Sequence, residues 1–510
     1  MELLELPAEL LILIIKATIP DVFENFMLSC KTIHQNGQEF ITEYKSMRSK
    51  YSSVSMDAAN LPSIYYWLNK LYQNPSIACW MRTVNLAVSD GSRESNGWSL
   101  ASSLVRDNVR RNVLELIKST RYVPVELKKG AIRTPEALGA IVLASLTNVT
   151  DLVLPWCPFW NACNLIVQKN MSGNWHAPLM NLRCLRLYLQ DCPFQDCKCL
   201  DAISPLFGLP QLEELCAYGL VALEKSMVPH SSSFLWPYHA VNSNLRCIEL
   251  ANCHLDSLEV SDLLSRTPNL TSFKYEFMAG RSHNVPQRKD GDGLGNFWNV
   301  GEFVAAIEKY VGNQLHHLAI TVGQSADLHG LETAVTSMAG FTILETLEVD
   351  WAIFFGPSIE AGTKGMWPGR DSWTQPPRVG GWTPKDIPPA RKILPKTLRE
   401  FSLFIDTGRY RGYDYCTFPF FEGMYNADRT LQCEDLPQLK RCYVRQPDRS
   451  SCAINHFRDP HLTPKKPLDL PNYCFDYKTM PRWGARFEYR MMSDLRRGDY
   501  PTRKAVQAMF

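Results

Sequence analysis

A short pattern, apolar-x-x-apolar-x-apolar, returns along most of this 510-residue chain and limits what it can fold into. It stands first at Met81/Val84/Leu86, then at Val149/Leu152/Leu154, Leu182/Leu185/Leu187, Leu212/Leu215/Ala217, Leu245/Ile248/Leu250 and Leu270/Phe273/Tyr275. Further copies are Leu315/Leu318/Ile320, Leu344/Leu347/Val349, Leu398/Phe401/Leu403 and Leu439/Cys442/Val444. With 45% of residues apolar, one match arises by chance about 9% of the time, so the series carries the argument. The last two positions lie two residues apart and share one face of a strand. Helical spacing alternates with these strands: Leu61, Ile64, Trp67, Leu68 and Leu71; Leu138, Ile141 and Val142 behind Thr134-Pro135-Glu136; Phe303, Ile307, Tyr310 and Val311; and Leu328, Leu331, Val335 and Met338. Strand and helix in alternation predict an α/β solenoid, a parallel sheet with each helix covering its outer side. A doubly wound single α/β domain is the alternative.

Several copies carry Pro just before the first leucine, as in Leu209-Pro210-Gln211-Leu212, Thr267-Pro268-Asn269-Leu270 and Leu436-Pro437-Gln438-Leu439. The stretch from Leu245 through Asn252 to Leu255 resembles the leucine-rich repeat consensus. Spacing is uneven, from 25 residues (Ile248 to Phe273) to 54 (Leu347 to Phe401), so the repeats are irregular. The longest gap holds a Gly/Pro/Trp-rich insertion at about 352–395 without a period, which predicts a long loop.

The first forty residues follow another rule. Leu6-Pro7 opens a helix, Leu10 to Ile15 cover every side of it, and Pro20-Asp21 starts a second helix carrying Val22, Phe23, Phe26, Met27 and Leu28. A third begins at Ser29-Cys30-Lys31 and is expected to end near Asn36-Gly37. A helix apolar all round needs cover on every side, which so short a segment cannot supply. Leu6, Pro7, Leu10, Ile14, Ile15, Pro20, Cys30 and Lys31 follow in order the pattern of the F-box, which this segment resembles. Ile33 and His34 stand where many members have Trp. With the repeats, the chain resembles the F-box proteins with a leucine-rich-like domain common in fungi. That resemblance implies docking on the Skp adaptor, and through it a cullin, of an SCF ubiquitin ligase. The adaptor-binding residues it implies are Leu6, Pro7, Leu10, Ile14, Ile15 and Pro20. A helical cap over the first repeat is the other reading of the segment.

The expected organisation is therefore an F-box-like module at 1–45, a helical linker or cap at 46–80, the repeat array at 81–450 and a basic extension at 451–510. Within the insertion, Trp367, Arg370, Trp373 and Trp382 mix aromatic and cationic groups favoured in binding hot spots, which makes them candidates for target binding. The segment from Lys478 to Phe510 carries Lys478, Arg482, Arg486, Arg490, Arg496, Arg497, Arg503 and Lys504, read either as a site for an acidic or phosphorylated segment or as a solvated tail or terminal cap.

Other motifs lead to plain readings. Cys192, Cys197 and Cys199, with Cys157, Cys163 and Cys184 upstream, lack the paired spacing of structural zinc and read as thiols of core or loop. His316-His317 sits beside a strand whose successive residues face opposite ways, so the pair cannot chelate one ion. Gly291-Asp-Gly293-Leu-Gly295 lacks the strand and spacing of a dinucleotide loop. No catalytic constellation stands out, and no cofactor or metal is expected. Lys+Arg 54 against Asp+Glu 52 gives no bulk attraction to nucleic acid or an anionic membrane. Scattered cysteines, and Glu2 and Glu5 where a secretory signal would be cationic, predict a cytoplasmic or nuclear protein. The function expected is substrate recognition for a ligase rather than enzymatic chemistry; a protein-interaction scaffold without a ligase is the alternative.

Overall fold

The computed structural model describes residues 3–56, 61–86, 107–120, 135–155, 178–188, 203–220, 242–253, 257–277, 298–322, 333–355, 388–404 and 433–447, with shorter pieces between and after them. The chain forms two compact units, residues 1–186 with 494–510, and residues 187–493.

The first unit begins with three helices, α1 (Ala8–Ala17), α2 (Phe23–Met27) and α3 (Lys31–Tyr51). Their inward sides meet in a small core of Leu11, Ile15, Phe23, Met27 and Ile33. The Cys30 sulfur accepts the Ile33 N–H at 3.5 Å and so caps α3. Helix α3 does not stop at Gly37, as the sequence suggested, but runs on to Tyr51. Gly37 serves packing instead: a Cβ there would overlap the Met27 thioether and crowd Ile15. Its missing side chain lets α2 lie close on α3.

Next come β1 (Ser53–Ser55), α4 (Leu61–Gln73), α5 (Ile77–Trp80), β2 (Thr83–Asn85), α6 (Asp107–Ser119), α7 (Pro135–Ala144), β3 (Asp151–Pro155) and β4 (Cys184–Tyr188). The sheet starts at Ser53, inside the stretch expected to be a helical linker, because Val54 pairs in register with Val84 and Val84 with Leu152. Helix α6 was not foreseen. It buries Val109, Val113 and Ile117 at four-residue intervals, and its Asn112 donates to Asn69 of α4 at 2.9 Å.

The second unit contains β5 (Glu214–Tyr218), β6 (Cys247–Cys253), α8 (Ser257–Leu264), β7 (Ser272–Phe277), α9 (Val300–Val311), β8 (His317–Val322) and β9 (Thr346–Asp350). After these stand α10 (Ala352–Phe355), α11 (Ala390–Ile393), β10 (Glu400–Phe404), β11 (Arg441–Pro447) and β12 (Lys478–Met480). Strands pair in parallel and in chain order, with Leu215, Ile248, Phe273, Leu318, Leu347, Phe401 and Cys442 aligned one on the next. The middle position of the sequence pattern thus forms a continuous row. Its last position forms a second: Ala217, Leu250, Tyr275, Ile320, Val349, Leu403 and Val444. Parallel neighbours, joined through helices where α8 and α9 stand, are the solenoid-like α/β arrangement the alternation implied. On α9, Phe303 packs on the Tyr275 ring at 4.5 Å between centroids, so the sheet's apolar side meets the helices there.

Two devices, one of backbone and one of side chains, set this register. The carbonyl just before most of the strands accepts two N–H groups from the next repeat: Ser52 from Arg82 and Thr83, Arg246 from Thr271 and Ser272, Arg399 from Lys440 and Arg441. A side chain immediately before the first apolar position then ties the turn to the preceding repeat. Asn148 donates to Cys79 O (3.1 Å), Asn181 to Thr147 O (3.0 Å), Asn244 to Pro210 O (2.7 Å), Gln314 to Thr267 O (3.1 Å) and Thr397 to Leu344 O (2.9 Å). Asn148, which with Thr150 makes a sequon, is one rung of this polar ladder, and Asn269, of the second sequon, bonds Asn244 Oδ1 at 3.5 Å.

One expected helix is absent from its described part. Residues 333–338 are irregular, because Val335 N–H bonds Ile353 O and Met338 N–H bonds Ile393 O instead of closing helical turns. Val335 and Met338 are nonetheless buried. Leu328 and Leu331 lie outside the described residues.

Removing one rung should weaken the array locally. Asn181→Ala and Asn244→Ala are each expected to lower unfolding free energy by about 0.5–1.5 kcal/mol in urea titration, the worth of one hydrogen bond. Replacement of Gln211, where no such rung is described, should cost less.

Candidate functional site

Large apolar side chains left open to solvent are concentrated in one stretch of the chain. Among the described residues, the exposed large hydrophobics are Leu3, Leu10, Leu13, Val22, Leu28, Tyr72 and Leu258, and all but the last two stand in the first 28 positions. Leu10 is 45% exposed, Leu13 60% and Leu28 80%. The reason lies in the geometry of α1. Leu11 and Ile15, four residues apart, form the stripe turned onto α2 and α3, which leaves Leu10 and Leu13 on the remaining surface.

Of the residues expected to meet an adaptor, Pro7 and Leu10 are exposed, while Leu6, Ile14 and Pro20 are half-buried. Ile15 is a correction. It is fully buried against the Gly37 stretch of α3 and holds the three helices together, so it offers no surface. Leu13, Val22 and Leu28 were missed as surface residues. An all-apolar run such as Leu10 to Ile15 has no polar stripe to show which side turns inward, and only the packing of α2 and α3 decides it.

The opposite side of the module rests on its own chain. Phe23 lies 4.5 Å from Tyr44, and Tyr44 5.2 Å from Trp80 of α5, measured between ring centroids. Burial, and then the nearby Glu24 carboxylate, push the Tyr44 hydroxyl above its ordinary pKa, so it stays neutral. Arg82 pairs with Asp21 in the α1–α2 connection, and Asn148 donates to the same carboxylate at 3.1 Å.

A second surface is the polar face of the sheet in the second unit. Alternation sends Glu214, Cys216 and Tyr218 of β5, and their counterparts in later strands, away from the apolar rows. Exposure falls along the strands: Glu214 and His317 at the first position are exposed, whereas Glu276, Thr321 and Asp350 at the third are buried. Glu249, nearly buried, pairs with Lys274 at 3.1 Å and accepts from the Cys216 thiol at 3.7 Å. Desolvation, reinforced by the Lys274 ammonium, holds the His317 imidazole below its ordinary pKa against the opposing pull of Glu348, Glu400 and Glu345. Surface ion pairs Arg399–Glu345 and Arg441–Glu400, both 3.3 Å, link successive repeats. Each contributes at most about 1 kcal/mol.

Thiols on this framework are suited to packing rather than reaction. Cys184, Cys216, Cys253, Cys433 and Cys442 are buried, and burial raises the Cys253 thiol far above its usual range. Cys247, half-buried on the polar face, is pushed up to about 11, first by desolvation and then by Glu249. No group of three or more His, Cys, Asp or Glu among the described residues is placed to hold a metal ion. Likewise no described helix is long and apolar enough to cross a membrane. Trp367, Arg370, Trp373, Trp382, the Cys157/Cys163 and Cys192–Cys199 thiols, the Gly291–Gly295 run and the basic residues beyond Met480 lie outside the described residues. No family model and no curated protein matches this chain.

Cys247 supplies a pH test. Its thiol is held protonated in the folded state up to about pH 11, against an ordinary value of 9.0. Alkylation by iodoacetamide at pH 8, followed by peptide mass mapping, should label Cys247 well below the rate of a free cysteine peptide. Because the unfolded thiol ionises first, its contribution to stability is complete below pH 9.0 and declines toward pH 11.

Proposed function

We propose that this chain is a recruiting subunit of a ubiquitin ligase. Its three N-terminal helices dock on a Skp-type adaptor in the manner of an F-box, and its repeat array holds a target protein. The observation that carries this reading is the cluster of solvent-facing leucines on a helix whose inner stripe is already satisfied. Large apolar side chains gathered on a small exposed surface mark a contact for another protein. Burying one such leucine stabilises a complex by about 1.5–3 kcal/mol.

In this reading bond making belongs to partner subunits, and the chain contributes proximity. A target held beside a ubiquitin-charged enzyme meets it at a raised effective concentration. The parallel sheet suits the holding role because its backbone bonds make a stiff support. Its accessible polar positions, among them Glu214, His317 and Arg441, offer side chains that can select a partner.

The test is capture of the purified adaptor by the full chain. Leu10→Asp with Leu13→Asp should lower capture by more than about tenfold, since two carboxylates cannot enter an apolar groove without a penalty of several kcal/mol. Both sites are exposed, so the melting temperature should stay near that of the parent. Undiminished capture by the double variant, or no capture by the parent chain, would favour a scaffold working without a ligase. Ile15→Asp is the contrasting control, and it should unfold the three-helix core.

A further inference from the structure

We propose that Asp21 is a positioning residue, which fixes the angle at which α1 and α2 are presented to the adaptor relative to the first strands of the array. This rests on the recruiting reading above and adds to it the joint through which proximity is transmitted.

Asp21 lies in the connection between α1 and α2, next to the exposed Val22. Two side chains from the repeats converge on its Oδ1: the Arg82 guanidinium, and the Asn148 amide at 3.1 Å. Neither donor is a loose surface group. Arg82 is locked by its backbone on both sides, its N–H on Ser52 O (3.0 Å) and its carbonyl under the N–H groups of Thr150 and Asp151. Its guanidinium also donates to Asn148 O at 3.1 Å. Asn148 is a rung of the turn ladder, and the same amide donates to Cys79 O at 3.1 Å. The carboxylate of the docking module is thus tied to two consecutive repeats at points whose backbones cannot shift independently.

Energetics separate this role from simple stabilisation. Asp21 and Arg82 side chains are 55% and 33% exposed, and an ion pair so open to solvent adds little to folding. The Phe23, Tyr44 and Trp80 rings supply the adhesion between module and repeats. Ring stacking tolerates sliding and tilt, whereas two directional hydrogen bonds meeting on one carboxylate oxygen, with their donors bonded to each other, do not. Adhesion and aim are therefore carried by different residues. In a proximity mechanism aim matters, because a swinging target spends less time at the reactive distance.

The experiment is a distance measurement in the full chain, with spin labels at Asn25 of α2 and Glu115 of α6, both exposed. Labels go in as non-natural residues, because the chain carries 16 cysteines. The parent should give one narrow distribution, and Asp21→Ala should roughly double its width while melting temperature and adaptor capture stay unchanged. Asp21→Asn, which keeps the acceptor for Asn148, should fall between them. An unaltered width in Asp21→Ala, or a widening matched by a drop in melting temperature, overturns the proposal. Should Asp21→Ala fail to fold, Asp21→Asn carries the reading, and a width equal to the parent's overturns the proposal. The distance readout needs no adaptor, so its outcome is separate from that of the leucine variants.

Discussion

The described sheet depends on one backbone arrangement, in which a carbonyl at the head of most strands receives two N–H groups from the next repeat. Such a forked acceptor permits one register, since a slip of one residue would turn every apolar side chain to the wrong face. With register settled, the apolar rows through Ile248 and Leu250 form without further instruction. Asn148, Asn181, Asn244 and Gln314 strengthen the same joint from the side-chain level. Repeats of unequal length can stack because the joint involves only the turn and the strand. Whatever is inserted between Leu347 and Phe401 leaves their pairing intact.

That joint also explains how far the fold was legible in the sequence. The pattern from Met81 onward places strands at the right residues because three apolar positions and a following register fit no other role. Uneven spacing does no harm, since it falls between the joints. Ser53–Ser55 escaped notice because it carries one buried apolar residue, Val54, too few to show the pattern. The expected helix through Val335 and Met338 failed for a different reason. Its apolar spacing is real and its residues are buried, but their N–H groups bond Ile353 and Ile393 carbonyls, a long-range choice that local periodicity cannot reveal. Gly37 was misread as a stop because its use, the close approach of Met27, exists only in three dimensions.

The candidate docking surface was legible as a problem and not as a solution. An all-apolar α1 announces that something must cover it, yet which stripe is covered by the chain itself depends on where α2 and α3 lie. Leu11 and Ile15 go inward, and Leu10 and Leu13 stay outward. The polar ladder was hidden in plain view for a related reason. Asn and Gln before a leucine read as ordinary turn residues until the accepting carbonyls of the previous repeat are known.

The inner and outer stripes of α1 can be weighed against each other. A three-helix module needs a core, and Leu11, Ile15, Phe23, Met27 and Ile33 provide it, with Phe23 and Tyr44 extending it onto Trp80. Once that core is complete, Leu10, Leu13 and Leu28 add less to holding the module together than the buried residues do, because much of their surface faces water. Polar residues at those positions would cost the fold little and would reduce the risk of aggregation. Leucines placed where folding makes little use of them fit the proposed contact outside the chain. Asp21, accepting from Arg82 and Asn148, joins the same segment to the array and would give the proposed contact a defined direction.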